Sequence, residues 1–310
     1  MEYRIGVDIG GTGVKIAVVD SDFNVIDKTR FPTGKTATNK GIIENIIKEC
    51  LALKEKYPVT SIGIGSAGRV DRKNGVVLRA GNLPFSNEPV AQQVSSALGL
   101  PVYMDNDGYC AIIGEYAAGA IKGYEDALIL TIGTGIGGAI LIGDKLVRGH
   151  NNRAGELGHF TLDMNGEECV CGQRGCFEHQ VSATALIKQT TQAAEQNPQS
   201  ILALDGKRGI NGKTVFDAAE KGCPVAKEVL KEYGRKFAAG LNCLTYIFQP
   251  QIIVLSGGVS NQGEALLSLI RPHLLPEVNV TVSQLKSDGG IIGASVLGTN
   301  LCPESISPNR

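Results

Sequence analysis

The chain has no surplus of charge of either sign: thirty Lys and Arg face thirty-one Asp and Glu, a net charge of -1. Without a basic excess there is no electrostatic footprint for DNA, RNA or anionic lipid, so neither nucleic acid nor membrane is an expected partner. Nor is a leader expected. Met1-Glu2-Tyr3-Arg4-Ile5 offers no basic segment followed by an apolar one and no cleavage site, and a cytoplasmic location is the expectation. The uncharged run Ala127 to Gly143 is shorter than the ~20 residues a spanning helix needs and holds five glycines, so it is not read as a membrane anchor. No Pro/Ser-rich linker interrupts the chain. At 310 residues it is too long for a disulfide mini-scaffold and long enough for two domains with sizeable cores.

What is abundant is glycine. Forty glycines, about 13% against a usual share of about 7%, point to local backbone geometry rather than low complexity. Eight cysteines in a reducing compartment are not expected to pair; Cys50, Cys110, Cys223, Cys243 and Cys302 are scattered, while Cys169, Cys171 and Cys176 cluster.

Apolar patterning predicts an α/β fold. Ile5–Asp8, Val14–Val19 and Asn24–Thr29 read as a meander, and Ile42, Ile43, Ile46, Ile47, Cys50 and Leu51 as one face of a helix over Gly41–Lys56. Strands follow at Ser61–Gly65 and Pro101–Met104, with a helix at Pro89–Leu98 between them and another from Gly108 to Ala120. The strand pair Ala127–Ile132 and Ala139–Ile142 repeats the form of the N-terminus, a Gly/Thr turn between two apolar strands. Helices at Ser182–Glu195 and Pro224–Phe248, a strand at Ile252–Leu255 and a helix at Gly289–Leu297 complete the reading. The expected domains are 1–120 with about 289–310, and 121–288, the latter carrying a knuckle at 159–176.

The two Gly/Thr turns, Gly10-Gly11-Thr12 and Gly133-Thr134-Gly135, can aim backbone N–H groups and hydroxyls at phosphate oxygens. One alone is as readily a plain hairpin; two of the same form favour a nucleotide. Gly133 to Gly138 also fits the dinucleotide spacing G-x-G-x-x-G, but a strand rather than a helix is expected next, which excludes that reading. Gly34-Lys35-Thr36 and Gly212-Lys213-Thr214 resemble the end of a P-loop and lack its first glycine.

His159 with Cys169, Cys171 and Cys176 supplies three thiolates and one imidazole, a closed tetrahedral zinc set of the structural kind, with Gly172 and Gly175 easing the turn. Glu156 precedes His159 by three residues and Glu178 follows Cys176 by two, so a metal there would brace two carboxylates. Asp105-Asn106-Asp107 ends a strand, where α/β proteins place ligands; Asp107 could accept a hydroxyl proton, or merely cap the following helix.

Asp8-Ile9-Gly10-Gly11-Thr12, Asn106-Asp107, Gly155-Glu156-Leu157-Gly158-His159, the stretch from Cys169 to Glu178, and Ser256-Gly257-Gly258-Val259 together resemble the ROK family of bacterial sugar kinases and repressors. The resemblance implies a two-domain actin-like ATPase fold of ribonuclease-H-like topology, with a small zinc knuckle and with ATP and sugar in the cleft. It implies Asp107 as general base and Asn82, Asn106, Asp107, Glu156, His159 and Glu178 as sugar-binding residues. Asp8, Gly10, Gly11, Thr12, Lys15, Thr134, Gly135, Gly257 and Gly258 would serve ATP. His159 and the three cysteines would hold a structural Zn²⁺, and Mg²⁺ would accompany ATP near Asp8.

The implied reaction is phosphorylation of a hexose hydroxyl, glucose at O6 first, with N-acetylmannosamine, fructose, allose or a β-glucoside as alternatives. A homodimer is implied as well. The regulator branch would need a helix-turn-helix segment ahead of this body, yet the first strand is expected at Tyr3. Two positions depart from the family pattern, Tyr109 two residues after the base and Ala67-Gly68-Arg69 in place of a Gly-Pro-like turn. A bulky side chain there is expected either to alter sugar selection or to be surface variation.

Overall fold

The computed structural model describes residues 2–33, 38–207 and 209–306, so Gly34-Lys35-Thr36 lies outside the described residues. Along the chain come β1 (Tyr3–Ile9), β2 (Gly13–Asp20), β3 (Val25–Pro32), α1 (Asn39–Lys56) and β4 (Val59–Ser66). The short strands β5 (Arg69–Asp71), β6 (Val76–Arg79) and β7 (Ser86–Glu88) precede α2 (Val90–Leu98), β8 (Val102–Asn106) and α3 (Asp107–Ala118). Next are β9 (Ala127–Ile132), β10 (Ile136–Ile142), β11 (Lys145–Val147), α4 (Glu178–Val181), α5 (Ala183–Gln196), α6 (Ile201–Gly206), α7 (Thr214–Glu220) and α8 (Pro224–Phe248). β12 (Ile252–Ser256), α9 (Glu264–Ile270), β13 (Val280–Val282), α10 (Gly289–Ser295) and β14 (Ser305–Ile306) close the chain.

The residues divide into two compact units, Met1–Glu125 with Ala139–Ala154 and Gln284–Arg310, and Asp126–Gly138 with Gly155–Ser283. The first is built on a sheet of order β3-β2-β1-β4-β8, an antiparallel meander continued by parallel strands. β1 and β4 are buried almost end to end because helices cover both faces. On one face α1 and α2 pack Ile42, Ile43, Ile46, Val90 and Val94 against Ile5, Val7 and Ile64. The buried stripe of α1 continues through Cys50 to Leu53, which leaves Leu51 exposed, contrary to its expected place on the apolar face.

On the other face α10 lies directly against the sheet. A Cβ on Gly63 would stand 1.7 Å from the Ala294 carbonyl oxygen, and one on Gly6 would stand 2.0 Å from that of Ile291, so only glycine admits the helix this closely. Glu115, buried on α3, fastens the same layer. Its carboxylate accepts the backbone N–H groups of Ala120 at 2.7 Å and of Leu285 at 3.1 Å. The small sheet β5-β6-β7 has no counterpart among the expected strands, since runs of three or four residues carry too little alternation to read.

In the second unit β13, β12 and β9 pair in parallel. The long helix α8 buries Tyr233, Phe237, Gly240 and Leu241. Phe177, immediately after Cys176, stacks on Phe160 at 5.1 Å and meets Phe237 edge-on at 5.7 Å, and the Tyr233 hydroxyl donates to the Val181 carbonyl at 2.7 Å. The cysteine-bearing loop is thereby pinned to the unit's aromatic core. An uncharged stretch, Phe237 to Gly263, is divided by Gln249-Pro250 between α8 and β12. Among the described residues no helix is long and apolar enough to cross a membrane.

Candidate active site

In the first unit the Gly/Thr turn joins β1 to β2. Gly10 N–H donates to the Gly13 carbonyl at 3.0 Å, and the buried Thr33 donates its hydroxyl to the Gly11 carbonyl at 2.9 Å. The turn itself is open, with Gly11 and Thr12 exposed, and a Cβ on Gly11 would lie 2.9 Å from that of Asn82. Two residues before the turn, Asp8 accepts from Lys15 Nζ at 3.1 Å, and the same ammonium donates to the Ser287 carbonyl at 3.2 Å.

β8 delivers Asp105-Asn106-Asp107 to the start of α3. The helix cap is Asn106, not Asp107: Asn106 Oδ1 accepts Gly108 N–H at 2.9 Å, while its Nδ2 donates to the Gly68 carbonyl at 2.9 Å. Asp107 is thereby left as the first residue of the helix, partly exposed. Burial of its carboxyl, with the Asp8 charge as the second cause, pushes its pKa up to about 6, over the opposing hydrogen bond from Gly108 N–H.

Asp105 is 1% exposed and faces the opposite way chemically. Arg148, also 1% exposed, donates Nη1 and Nη2 to its two oxygens at 2.9 and 2.6 Å, and Arg72 Nε adds a contact at 3.1 Å. Tyr109 corrects both expectations for that position. It is 3% exposed, its ring lies 4.3 Å under the Arg148 guanidinium, and its hydroxyl sits 2.9 and 2.8 Å from the Val147 and Ala154 carbonyls. The residue is a brace rather than surface variation or a sugar-facing side chain. Arg69 is exposed on β5. No sequence signal marks Arg148 or Thr33, because each acts through a partner far along the chain.

In the second unit the turn after β9 is closed by Gly133 N–H donating to the Gly135 carbonyl at 2.9 Å. Glu178, at the start of α4, reaches this turn: its Oε2 accepts Ile136 N–H at 3.2 Å, and its Oε1 lies 3.6 Å from both His159 Nδ1 and Cys169 Sγ. Glu156 is exposed, its carbonyl accepting His159 N–H at 3.1 Å. Gly257 and Gly258 follow β12 and are exposed.

The four candidate zinc donors, His159, Cys169, Cys171 and Cys176, come within 4.8 Å of one another. His159 Nδ1 lies 3.6 Å from Cys169 Sγ, and the sulfurs of Cys171 and Cys176 are 3.5 Å apart. Those separations are too long for an S–S bond, and they suit the edges of a tetrahedron built on Zn–S and Zn–N bonds of about 2.3 and 2.0 Å, roughly 3.5–3.8 Å. Gly175 makes the return possible: at φ +64° its absent Cβ would stand 1.5 Å from the Asp163 carbonyl.

Two Gly/Thr turns after strands of two sheets, a carboxylate at the end of β8 and a Cys/His knuckle define an actin-like ATPase fold of the sugar-kinase kind. The chain belongs to the ROK family, whose model matches residues 4–300. It is 37% identical to a glucokinase of Streptomyces coelicolor over 311 aligned positions, covering 96% of this chain and 98% of that one. It is 32% identical to a glucokinase of Thermotoga maritima, covering 94% and 95%. Among solved structures it resembles a ROK family glucokinase from Streptomyces griseus in complex with glucose and AMPPNP, with a TM-score of 0.84, 37% identity, and 95% and 98% coverage.

Proposed function

We propose that this chain is an ATP-dependent glucokinase, transferring the γ-phosphoryl group of ATP to O6 of glucose. Asp107 carries the reading: a largely buried carboxyl on a partly exposed residue that follows β8, with a pKa of about 6, in a chain whose glucokinase relatives match it almost end to end. A sugar hydroxyl is a poor nucleophile. Asp107 takes its proton as the oxygen attacks phosphorus in line and ADP leaves, an effect typically worth about 10²- to 10⁴-fold. A carboxylate raised to about 6 is still mostly ionised near neutrality and is a stronger base than an ordinary aspartate.

Asn82, Asn106, Glu156, His159 and Glu178 hold the sugar hydroxyls in this reading; a polar group that a bound sugar covers and leaves unmatched costs about 1–3 kcal/mol, which is the source of selectivity. Asn106, held by its two backbone bonds, is fixed in orientation beside Asp107. Gly10, Gly11, Thr12, Lys15, Thr134 and Gly135 attend the phosphates, and Gly257-Gly258 the adenosine. Asp8, a partly exposed oxygen donor, suits Mg²⁺, which it would help hold together with the substrate phosphates and which would supply neutralisation of phosphate charge. The donor set of the knuckle suits a structural Zn²⁺, which would brace the loop that carries Glu156, His159 and Glu178.

An ADP-release assay across glucose, mannose, N-acetylmannosamine, N-acetylglucosamine, fructose, allose and a β-glucoside tests the proposal. Glucose should show the highest kcat/KM. A higher value for another sugar keeps the kinase and replaces the substrate, and no ADP release with any sugar removes the kinase reading. The same reading includes a cytoplasmic homodimer, and sedimentation showing only monomer would remove that part.

A further inference from the structure

We propose that Arg148 is a positioning residue for the base, its guanidinium gripping the turn that carries Asp107 from both sides. Asp105, two residues before Asp107, receives both terminal nitrogens of Arg148 at 2.9 and 2.6 Å. Tyr109, two residues after Asp107, lies with its ring 4.3 Å beneath the same guanidinium. One planar cation therefore spans the turn. A bidentate pair fixes the orientation of the guanidinium plane, and stacking transmits that orientation to the ring, so the start of α3 has little freedom to pitch or slide.

The further ties point the same way. Asp105 Oδ1 also accepts Asn106 N–H at 2.8 Å, and the Tyr109 hydroxyl bonds to the backbone of the segment that carries Arg148, at Val147 and Ala154. Fold stability alone is a poor reason for such an arrangement, because apolar replacements of a buried ion pair are often neutral or stabilising. The pair also decides between the two aspartates of Asp105-Asn106-Asp107. The oxygens of Asp105 are taken by Arg148, Arg72 and Asn106 N–H, so it cannot accept a substrate proton, and Asp107 is left to do so.

This inference rests on Asp107 being the base. Arg148→Lys keeps the charge and gives up the bidentate, stacked geometry; Tyr109→Leu removes the ring; Tyr109→Phe keeps the ring face without the hydroxyl. A misplacement of about 1 Å costs on the order of 10²-fold in rate. Arg148→Lys and Tyr109→Leu should therefore lower kcat, per folded molecule by circular dichroism, about 10- to 100-fold, with sugar KM changed less than about threefold, and Tyr109→Phe should restore kcat to within about threefold of the parent.

Both variants within about twofold of the parent kcat would overturn the proposal, as would a loss confined to KM, or Tyr109→Phe falling as far as Tyr109→Leu. If Arg148→Lys does not fold, the two Tyr109 variants decide alone. Asp107→Asn separates the two ideas. Near-normal kcat there removes the base itself, whereas an inactive Asp107→Asn beside an unimpaired Arg148→Lys removes only the grip.

Discussion

Lowering the pH should switch this enzyme off well above the usual carboxylate range. As the proposed base Asp107 would work only when ionised, and its pKa stands at about 6 rather than 3.8, because burial disfavours the charge and Asp8 adds to that. The sign follows directly: a raised acid pKa means the proton is retained to higher pH, so activity is lost as pH falls through 6. At pH 7 about 90% of the base is ionised, and at pH 5 about 9%, so the rate should drop about tenfold between them, whereas an ordinary aspartate would lose only about 6%. The assay is the rate with ATP and sugar both well below saturation, which reports the free enzyme, with the sugar phosphate measured chromatographically so that no coupling enzyme limits the range. Asp8→Asn removes the second cause of the shift, and the acidic limb of the surviving activity should move to lower pH while staying above the ordinary aspartate value, since burial remains. A flat profile from pH 7 to 5, or a limb near 4, would refute the reasoning.

Other perturbations probe other layers. Gly63→Ala should cost about 1–3 kcal/mol or more, seen as a lower Tm, because its methyl group would meet the Ala294 carbonyl at 1.7 Å; an unchanged melt would show that α10 can lift away without loss. Glu115→Gln trades a carboxylate accepting backbone N–H groups for an amide with one acceptor oxygen, and denaturant titration should register a loss of about 1.5–3 kcal/mol. Cys171→Ser should lower zinc, measured by atomic absorption, well below one per chain; full zinc content with unchanged sugar affinity would contradict the four-donor knuckle.

Much of this was legible in the residues. The meander β1–β3 and the stripe of α1 carry their periodicity openly, and the expected strand after Gly133–Gly138 is β10, so the dinucleotide reading was rightly set aside. The knuckle was visible because its donors are close in sequence. Relations across long separations were not. Arg148 and Asp105 are 43 residues apart and joined only by folding, and nothing in Tyr109's neighbours announces that a guanidinium will cover it. Leu51 misled because one helical position, about 100° of turn, separates the buried stripe from solvent.

The glycine seat beneath α10 also dictates a timetable. The strands of the first sheet are synthesised early, but the helix that covers their second face is assembled last, after the whole of the second unit. At about 5–20 residues per second, the roughly 180 residues between them take on the order of ten seconds or more to emerge. Through that interval Ala17 and Val19 lack Ile291 and Ile292, the buried residues they pack against in the finished fold. The second face of the N-terminal sheet is thus completed by a segment far along the chain, not by its sequence neighbours.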